Sequence, residues 1–420
     1  MLTWICQWEP WILLALMPVF LFPTPESSIL LIIFPLLWTC HFLTSRHFVP
    51  ATPLDWPILL LMNALLLNLF ITPNIIQSLP KLASLIFGIC LYYSLVRWTT
   101  TETRRRALLI SLSATSILLV FLTFLMQWKV GLKMPALQPA YELIKQIPRP
   151  LSLPGAEGGV NTNEIGGVLV IFIPLNAMLV LDEIISHSKS WPRIALYLLA
   201  FISTFTTTIL SQSRSAILGA LVGLLSLPAW RGWWGRILLA MVLLTLIGLA
   251  STGQLEPFLQ STGLVPVMSE PSLLSGRLLI WKRALYFWGQ APLTGIGLNQ
   301  FRLVMPTFWP MSSPLAIDDL GHVHNQFLQV AVEMGLPGLV AYISIWGGVF
   351  RRVINALKRK DCPHSMRITL GTASGFLAFL TYGVFDAVAL GARAGFPFWL
   401  FLATAVIFTS RTQRVPTTSD

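Results

Sequence analysis

Residues 194–228 read IALYLLAFISTFTTTILSQSRSAILGALVGLLSLP. Two apolar runs, 194–210 and 214–228, flank one polar turn, SQSRSA at Ser211–Ala216. Neither run alternates apolar and polar residues, so neither is a strand with one wet face. Each approaches the roughly 18–25 apolar residues a helix needs to cross a bilayer core. Backbone polar groups must be satisfied inside lipid, which leaves helices or closed barrels, and a barrel demands alternation. The pair is a helical hairpin in a membrane.

The pattern recurs along the chain. Similar runs lie at 11–23, 27–43, 57–72, 80–96, 107–127, 164–181, 236–251, 337–354, 368–386 and 395–409. With 55% hydrophobic and 11% charged residues and a mean hydropathy of +0.72, the composition lies far from that of a soluble domain. The expectation is an all-α integral membrane protein of about 12 transmembrane helices.

Lys and Arg near span ends mark the cytoplasmic side. Arg97 with Arg104–Arg106, Lys189 with Arg193, Arg231 with Arg236, the cluster from Arg351 to Arg367, and Arg411 with Arg414 all fall on one side. Both termini are therefore expected in the cytoplasm. The same parity places 128–163 and 252–336 outside, and the chain divides into 1–251 (helices 1–9), the outer loop 252–336, and 337–420 (helices 10–12 and a short tail). No cleavable signal peptide is evident, because the first apolar run lacks a basic flank and a small-residue cleavage site. The net charge of +11 is explained by this topological signal beside anionic lipid, and no nucleic-acid partner is expected. Cys6, Cys40, Cys90 and Cys362 are too scattered for a zinc site, and none is expected in an outer loop.

Ionisable groups gathered at the outer surface are costly and call for a function. Arg214 sits in the SQSRSA turn, where snorkelling to lipid phosphate competes with a ligand role. Gly276–Phe301 reads GRLLIWKRALYFWGQAPLTGIGLNQF. Leu278, Trp281, Leu285 and Trp288 make an apolar stripe on an interfacial helix that also carries Arg277, Lys282 and Arg283. Its GIGLNQ lacks the third glycine and the strand of a dinucleotide fingerprint, so it is a structural turn. Trp281, Trp288, Phe308 and Trp309 offer faces to sugar or isoprenoid, or simply bury at the interface.

Residues 321–339 read GHVHNQFLQVAVEMGLPGL. A short helix over 323–334 is expected, with Asn325 near its start and Gly335 and Pro337 interrupting it before the next span. His322 and His324 point apart on a helix but share a side on extended chain. A metal site on this pair has no third ligand nearby in sequence, so none is expected. Asp386 and Arg393, on the last outer turn, are expected to pair with each other. Asn161, Asn163 and Glu164 stand at the mouth of another span, where an ordinary helix cap accounts for them.

There is no Asp-x-Asp pair, P-loop or G-x-S-x-G. A metal-free site for a diphosphate needs fixed cations, and arginine's planar fork suits phosphate oxygens. A histidine, titrating near neutrality, is the natural acceptor of a hydroxyl proton.

The order SQSRSA, then GRLLIWKRAL…PLTGIGLNQF, then HVHNQFLQVAVEMGLPGL resembles the O-antigen ligase and O-antigen polymerase superfamily. The resemblance is specific over about 210–340, while the many-helix layout extends it over nearly the whole chain. It implies a GT-C-like, multi-pass protein of a bacterial inner membrane, with the active site in a large periplasmic loop. The implied activity is glycosyl transfer, with inversion and without metal, nucleotide sugar or other cofactor. The donor is an undecaprenyl-diphosphate-linked glycan. By the same resemblance, Arg214 and Arg277 bind the diphosphate and His324, with His322 beside it, is catalytic. Glu333, Gly335, Leu336 and Gly338 match an E-x-G-L-x-G run that looks architectural. Asn163, Trp281, Asn325, Glu333, Asp386 and Arg393 are supporting candidates. The acceptor is lipid A-core in a ligase, another lipid-linked repeat unit in a polymerase, or a Ser or Thr hydroxyl in a protein-glycosylating relative. The short tail without an added soluble domain favours the ligase. A solute transporter is the rival of another class, disfavoured because ionisable groups are scarce in mid-span.

Overall fold

The computed structural model describes residues 2–126, 128–129, 134–147, 159–186, 189–252, 254–262, 273–309, 321–359, 363–388, 390 and 395–410. In chain order the helices are α1 (Leu2–Leu21), α2 (Ile33–Ser45), α3 (Asp55–Ile71), α4 (Ile75–Trp98), α5 (Glu102–Leu125), α6 (Gln138–Lys145), α7 (Thr162–Leu169), α8 (Phe172–Ile185) and α9 (Trp191–Leu210). They continue as α10 (Arg214–Arg231), α11 (Trp233–Ser251), α12 (Leu255–Ser261), α13 (Leu273–Gln290), α14 (Phe301–Phe308), α15 (Gln326–Arg359), α16 (Pro363–Phe385) and α17 (Phe396–Thr409). Among the described residues the one strand pairing is two residues long, Trp128–Lys129 beside Val160–Asn161.

This is an all-α integral membrane protein. Among the described residues, seven helices are long and apolar enough to cross a membrane, and five shorter apolar helices accompany them. Each expected span overlaps one of these helices. The helical hairpin expected over 194–228 is α9 and α10, joined at Ser211–Ser213.

The bundle is built around α17 and α16. All of α17 is buried, and a helix apolar all round belongs at the centre. Its Trp399 lies over Gly88 of α4, where a β-carbon would sit 2.1 Å from the indole. Without a hydrophobic drive between helices in lipid, close packing needs small residues. Two G-x-x-x-G pairs supply them. Gly219 and Gly223 of α10 meet Ala378 of α16, while Gly371 and Gly375 of α16 meet Leu175 and the Ile171 carbonyl on the other flank. Ser226 and Ser374 add a hydrogen bond of 2.7 Å across the first contact.

The two ends of the bundle differ. One gathers ion pairs: Arg97 with Glu9, Arg193 with Glu183, and Arg367 and His364 with Asp182. The other carries the starts of α7, α10 and α15 and the end of α16. There the loop-borne segment 273–309 docks through a second, smaller core of Ile280, Ala284, Phe287, Phe301, Met305, Val323 and Val332.

Hydrogen bonds to backbone groups reinforce that apolar contact. Asn68, 2% exposed in α3, donates to the Glu333 carbonyl at 2.6 Å and accepts from Leu298 N–H at 2.6 Å. Ser78 of α4 donates to the Leu298 carbonyl at 2.6 Å. Ile296 and Gly297 N–H bond the Val332 and Glu333 carbonyls, and Leu336 N–H bonds that of Pro292. GIGLNQ is thus a turn, with Gly295 and Gly297 at φ 70° and 109°, clamped between α3, α4 and α15.

Two details depart from the expected local structure. The face of α13 that packs is Ile280, Ala284 and Phe287, while Leu278 and Leu285 of the expected stripe are about half exposed, at 48% and 51%. Only Trp281 and Trp288 of that stripe reach the smaller core, because the packed face is centred between them. The helix expected from 323 begins at Gln326. It breaks at Gly335, whose φ of 67° and ψ of −167° are open to glycine alone, and Pro337 follows in the first turn of the resumed helix.

Candidate functional site

The late start of α15 determines the site. Residues 321–325 are not helical, so His322 and His324 face the same way. Their rings lie 4.0 Å apart. His322 Nε2 is 3.1 Å and His324 Nδ1 is 3.2 Å from the same oxygen, Asp386 Oδ1. An ionised carboxylate only accepts, so each facing ring nitrogen is assigned as the donor, and on His324 this leaves Nε2 as the basic nitrogen.

Asp386 follows the last turn of α16 and is 1% exposed. Its Oδ1 also accepts from the Ala387 N–H at 2.9 Å. Burial works to raise this carboxyl, but the hydrogen bonds from His322 and His324 outweigh it and hold Asp386 well below the usual carboxylate range. Its other oxygen, Oδ2, is buried without a hydrogen-bond partner among the described residues. Among the described residues Arg277 stands beside it, its Nη2 3.8 Å away, too far for a hydrogen bond.

From the sequence, Asp386 is expected to pair with Arg393. The described partners of Asp386 are the two histidines and Arg277, and Arg393 lies outside the described residues.

The loop is held at Val323, between the histidines. Gln329 Oε1 accepts from Val323 N–H at 2.7 Å, and Trp281 Nε1 donates to the Val323 carbonyl at 3.0 Å. Trp281 lies one turn beyond Arg277 on α13, so one helix supplies both the cation and a tie to the loop. His324 itself adopts φ 53°, sparsely allowed for a residue with a β-carbon and tolerated where surroundings impose it. Asn325 caps the helix: its Oδ1 accepts from Leu328 N–H at 2.9 Å, and its Nδ2 donates to the Val384 carbonyl of α16 at 3.0 Å.

Arg214 opens α10 at the same end, on a turn whose Ser213 accepts from Ala216 N–H. The positive pole of the helix and the guanidinium coincide there, which favours an anion. Asn163 lies in the first turn of α7, and its carbonyl accepts from Tyr382 of α16 at 3.1 Å. The other expected supporting residue, Glu333, is 2% exposed and pairs with Lys81 of α4 at 2.6 Å.

The structure therefore unites His322, His324, Asp386 and Arg277 and places Arg214 and Asn163 at the same end. Sequence reasoning passed over Lys81, Gln329 and Asn68. A lysine inside an apolar span was the signal available for the first.

The histidines also gain the third ligand that the sequence did not place near them. The ligand atoms of His322, His324 and Asp386 all lie within 4.8 Å of one another, a two-imidazole, one-carboxylate set suited to a divalent ion. The Arg277 guanidinium works against a second positive charge there.

Residues 199–343 match the family model described as O-antigen ligase. The matched stretch contains Arg214, Arg277, His322, His324, Asn325 and Glu333; Asp386 and Lys81 lie beyond it. The match supports the O-antigen ligase superfamily and membrane glycosyltransferase activity of the ligase or polymerase type, with lipid-linked glycan partners. No curated protein matches the chain.

Proposed function

From the O-antigen ligase match over residues 199–343, we propose that this chain is an inverting, metal-independent glycosyltransferase. It moves a glycan from undecaprenyl diphosphate to a hydroxyl of lipid A-core oligosaccharide on the periplasmic face of a bacterial inner membrane, with both termini in the cytoplasm. The observation that carries this reading is the dyad of His324 Nδ1 and Asp386 Oδ1 at 3.2 Å with Arg277 beside it.

His324 Nε2 takes the proton of the acceptor hydroxyl as its oxygen attacks the anomeric carbon. Asp386 fixes the ring orientation and stabilises the imidazolium that forms. The bond from the anomeric carbon to the phosphate oxygen breaks on the opposite side, and its electron pair leaves with the diphosphate. Arg277 and Arg214 offset that growing negative charge. One displacement inverts the centre, and the site needs no second carboxylate as nucleophile.

The test is transfer in vitro by the purified full chain, from undecaprenyl-diphosphate glycan to lipid A-core, with EDTA present. Transfer of a glycan by wild type and none by His324→Ala is the expected result. Loss of transfer in EDTA would reassign the His–His–Asp group to a metal. Longer lipid-linked chains would make the protein a polymerase, glycosylated Ser or Thr a protein-directed transferase, and solute uptake without glycan transfer a transporter.

A further inference from the structure

The Lys81–Glu333 ion pair is buried between α4 and α15, about 9 Å along α4 from its first residue at 1.5 Å per residue. Tying two helices together would be reason enough for such a pair, yet its contacts do not stop there. Glu333 Oε2 accepts from Lys81 Nζ at 2.6 Å, and Oε1 accepts from Gln329 Nε2 at 2.6 Å. Gln329 in turn accepts from Val323 N–H at 2.7 Å. Lys81, Glu333, Gln329 and Val323 form one unbranched chain of hydrogen bonds that ends between the two histidines.

We propose that Lys81 and Glu333 act through Gln329 as positioning residues for His322 and His324. The argument rests on which way a buried amide must face. An ionised carboxylate offers only lone pairs, so the Gln329 NH₂ has to turn toward Glu333 and its carbonyl toward Val323 N–H. Val323 is then held through its N–H by this chain and through its carbonyl by Trp281. With the peptides on both sides of Val323 fixed, His324 keeps its left-handed φ of 53° and both rings reach Asp386. Without Lys81 the buried carboxylate loses its counter-charge, and its least costly escape is to bind a proton. A protonated carboxyl can donate to the Gln329 carbonyl, turning the NH₂ toward Val323 N–H. Two donors would then face each other, and the loop would be released.

The inference rests on the glycosyltransferase reading, and two measurements keep their failures apart. The first is steady-state transfer by the full chain. Gln329→Leu leaves the ion pair intact and cuts the chain at its last link. It should lower kcat roughly tenfold or more, since a displacement near 1 Å can cost about a hundredfold. The donor KM should stay within about threefold, because Arg214 and Arg277 lie outside the chain. Lys81→Met should do the same. Lys81→Met with Glu333→Gln should recover most of the lost kcat, since a neutral amide still accepts from Gln329 and no charge is stranded.

The second is amide hydrogen exchange, which needs no activity. Exchange across 321–325 should speed up in Gln329→Leu while that of α13 stays unchanged. Wild-type kcat in Gln329→Leu, or unaltered exchange across 321–325, would overturn the positioning role. A wild-type protein that transfers nothing would overturn the glycosyltransferase reading instead, and the exchange comparison would still decide whether the chain of bonds holds the loop.

Discussion

Arg277 and Asp386 approach to 3.8 Å without a hydrogen bond between them. The pair is close enough for each charge to feel the other, and under the proposed function the guanidinium's donors serve the diphosphate. An arginine spent on a buried carboxylate would have little left for a diphosphate.

Arg277→Lys should therefore remain poor although the charge survives. The planar fork places two donors on phosphate oxygens, and a lysine places one. Losing one charge-assisted hydrogen bond, worth about 2 kcal/mol, predicts a fall of roughly thirtyfold in kcat/KM. Steady-state transfer with donor varied measures it, and wild-type kcat/KM in the lysine variant would exclude Arg277 from the donor site.

Asp386→Asn should separate chemistry from binding. The amide can turn its NH₂ toward His324 and force the wrong tautomer, so kcat should fall by roughly 10²–10⁴ with little change in donor KM. Parallel measurement of the two constants checks it. A variant that loses donor affinity alone would make Asp386 a binding group.

Asp386 also predicts a dependence of stability on acid. Its carboxyl lies lower in the folded protein than in the unfolded chain, so the ionised form stabilises the fold above the ordinary carboxyl value near pH 4. That contribution is lost only as pH falls through the lower folded value. The gap in melting temperature between wild type and Asp386→Asn in detergent should be present at neutral pH, persist through the mildly acidic range, and close only in stronger acid. A gap already closed at about pH 5 would contradict the depressed carboxyl.

Gly335→Ala should damage the fold where Gly347→Ala does not. A β-carbon at Gly335 would lie 2.3 Å from the Leu293 carbonyl oxygen, on a backbone at φ 67°, whereas at Gly347, on the same α15, nothing lies within 4 Å. Strain of this kind costs about 1–3 kcal/mol before the clash is counted. Thermal unfolding in detergent should show a clear drop for the first and a neutral or slightly favourable change for the second.

What could be read from the sequence and what could not divide along a physical line. The spans were legible because each is a run of neighbours, and the break at Gly335 was legible because glycine and proline act on their own backbone. His324, Arg214 and Arg277 stood out by their motifs. The contact of Asp386 with His324 was not legible because the two lie 62 residues apart, and no local periodicity records such a pairing. Lys81 passed as an ordinary span residue for the same reason: its carboxylate is 252 residues distant. The helix start was placed early because whether residues 322–324 coil depends on the grip of Trp281 and Gln329 on Val323, which only the folded molecule supplies.

The paired glycines of α16 carry a consequence for length. Gly371 and Gly375 lock that helix against α8 while Ala378 locks it against α10, so α16 can neither rotate nor slide. Asp386 follows Gly375 by three turns, roughly 11 residues, and so returns to nearly the same bearing around the axis. Inserting or deleting one residue in those turns would swing the carboxylate by about 100°, away from both histidines. The number of residues between Gly375 and Asp386 is thus as much a part of the site as the side chains themselves.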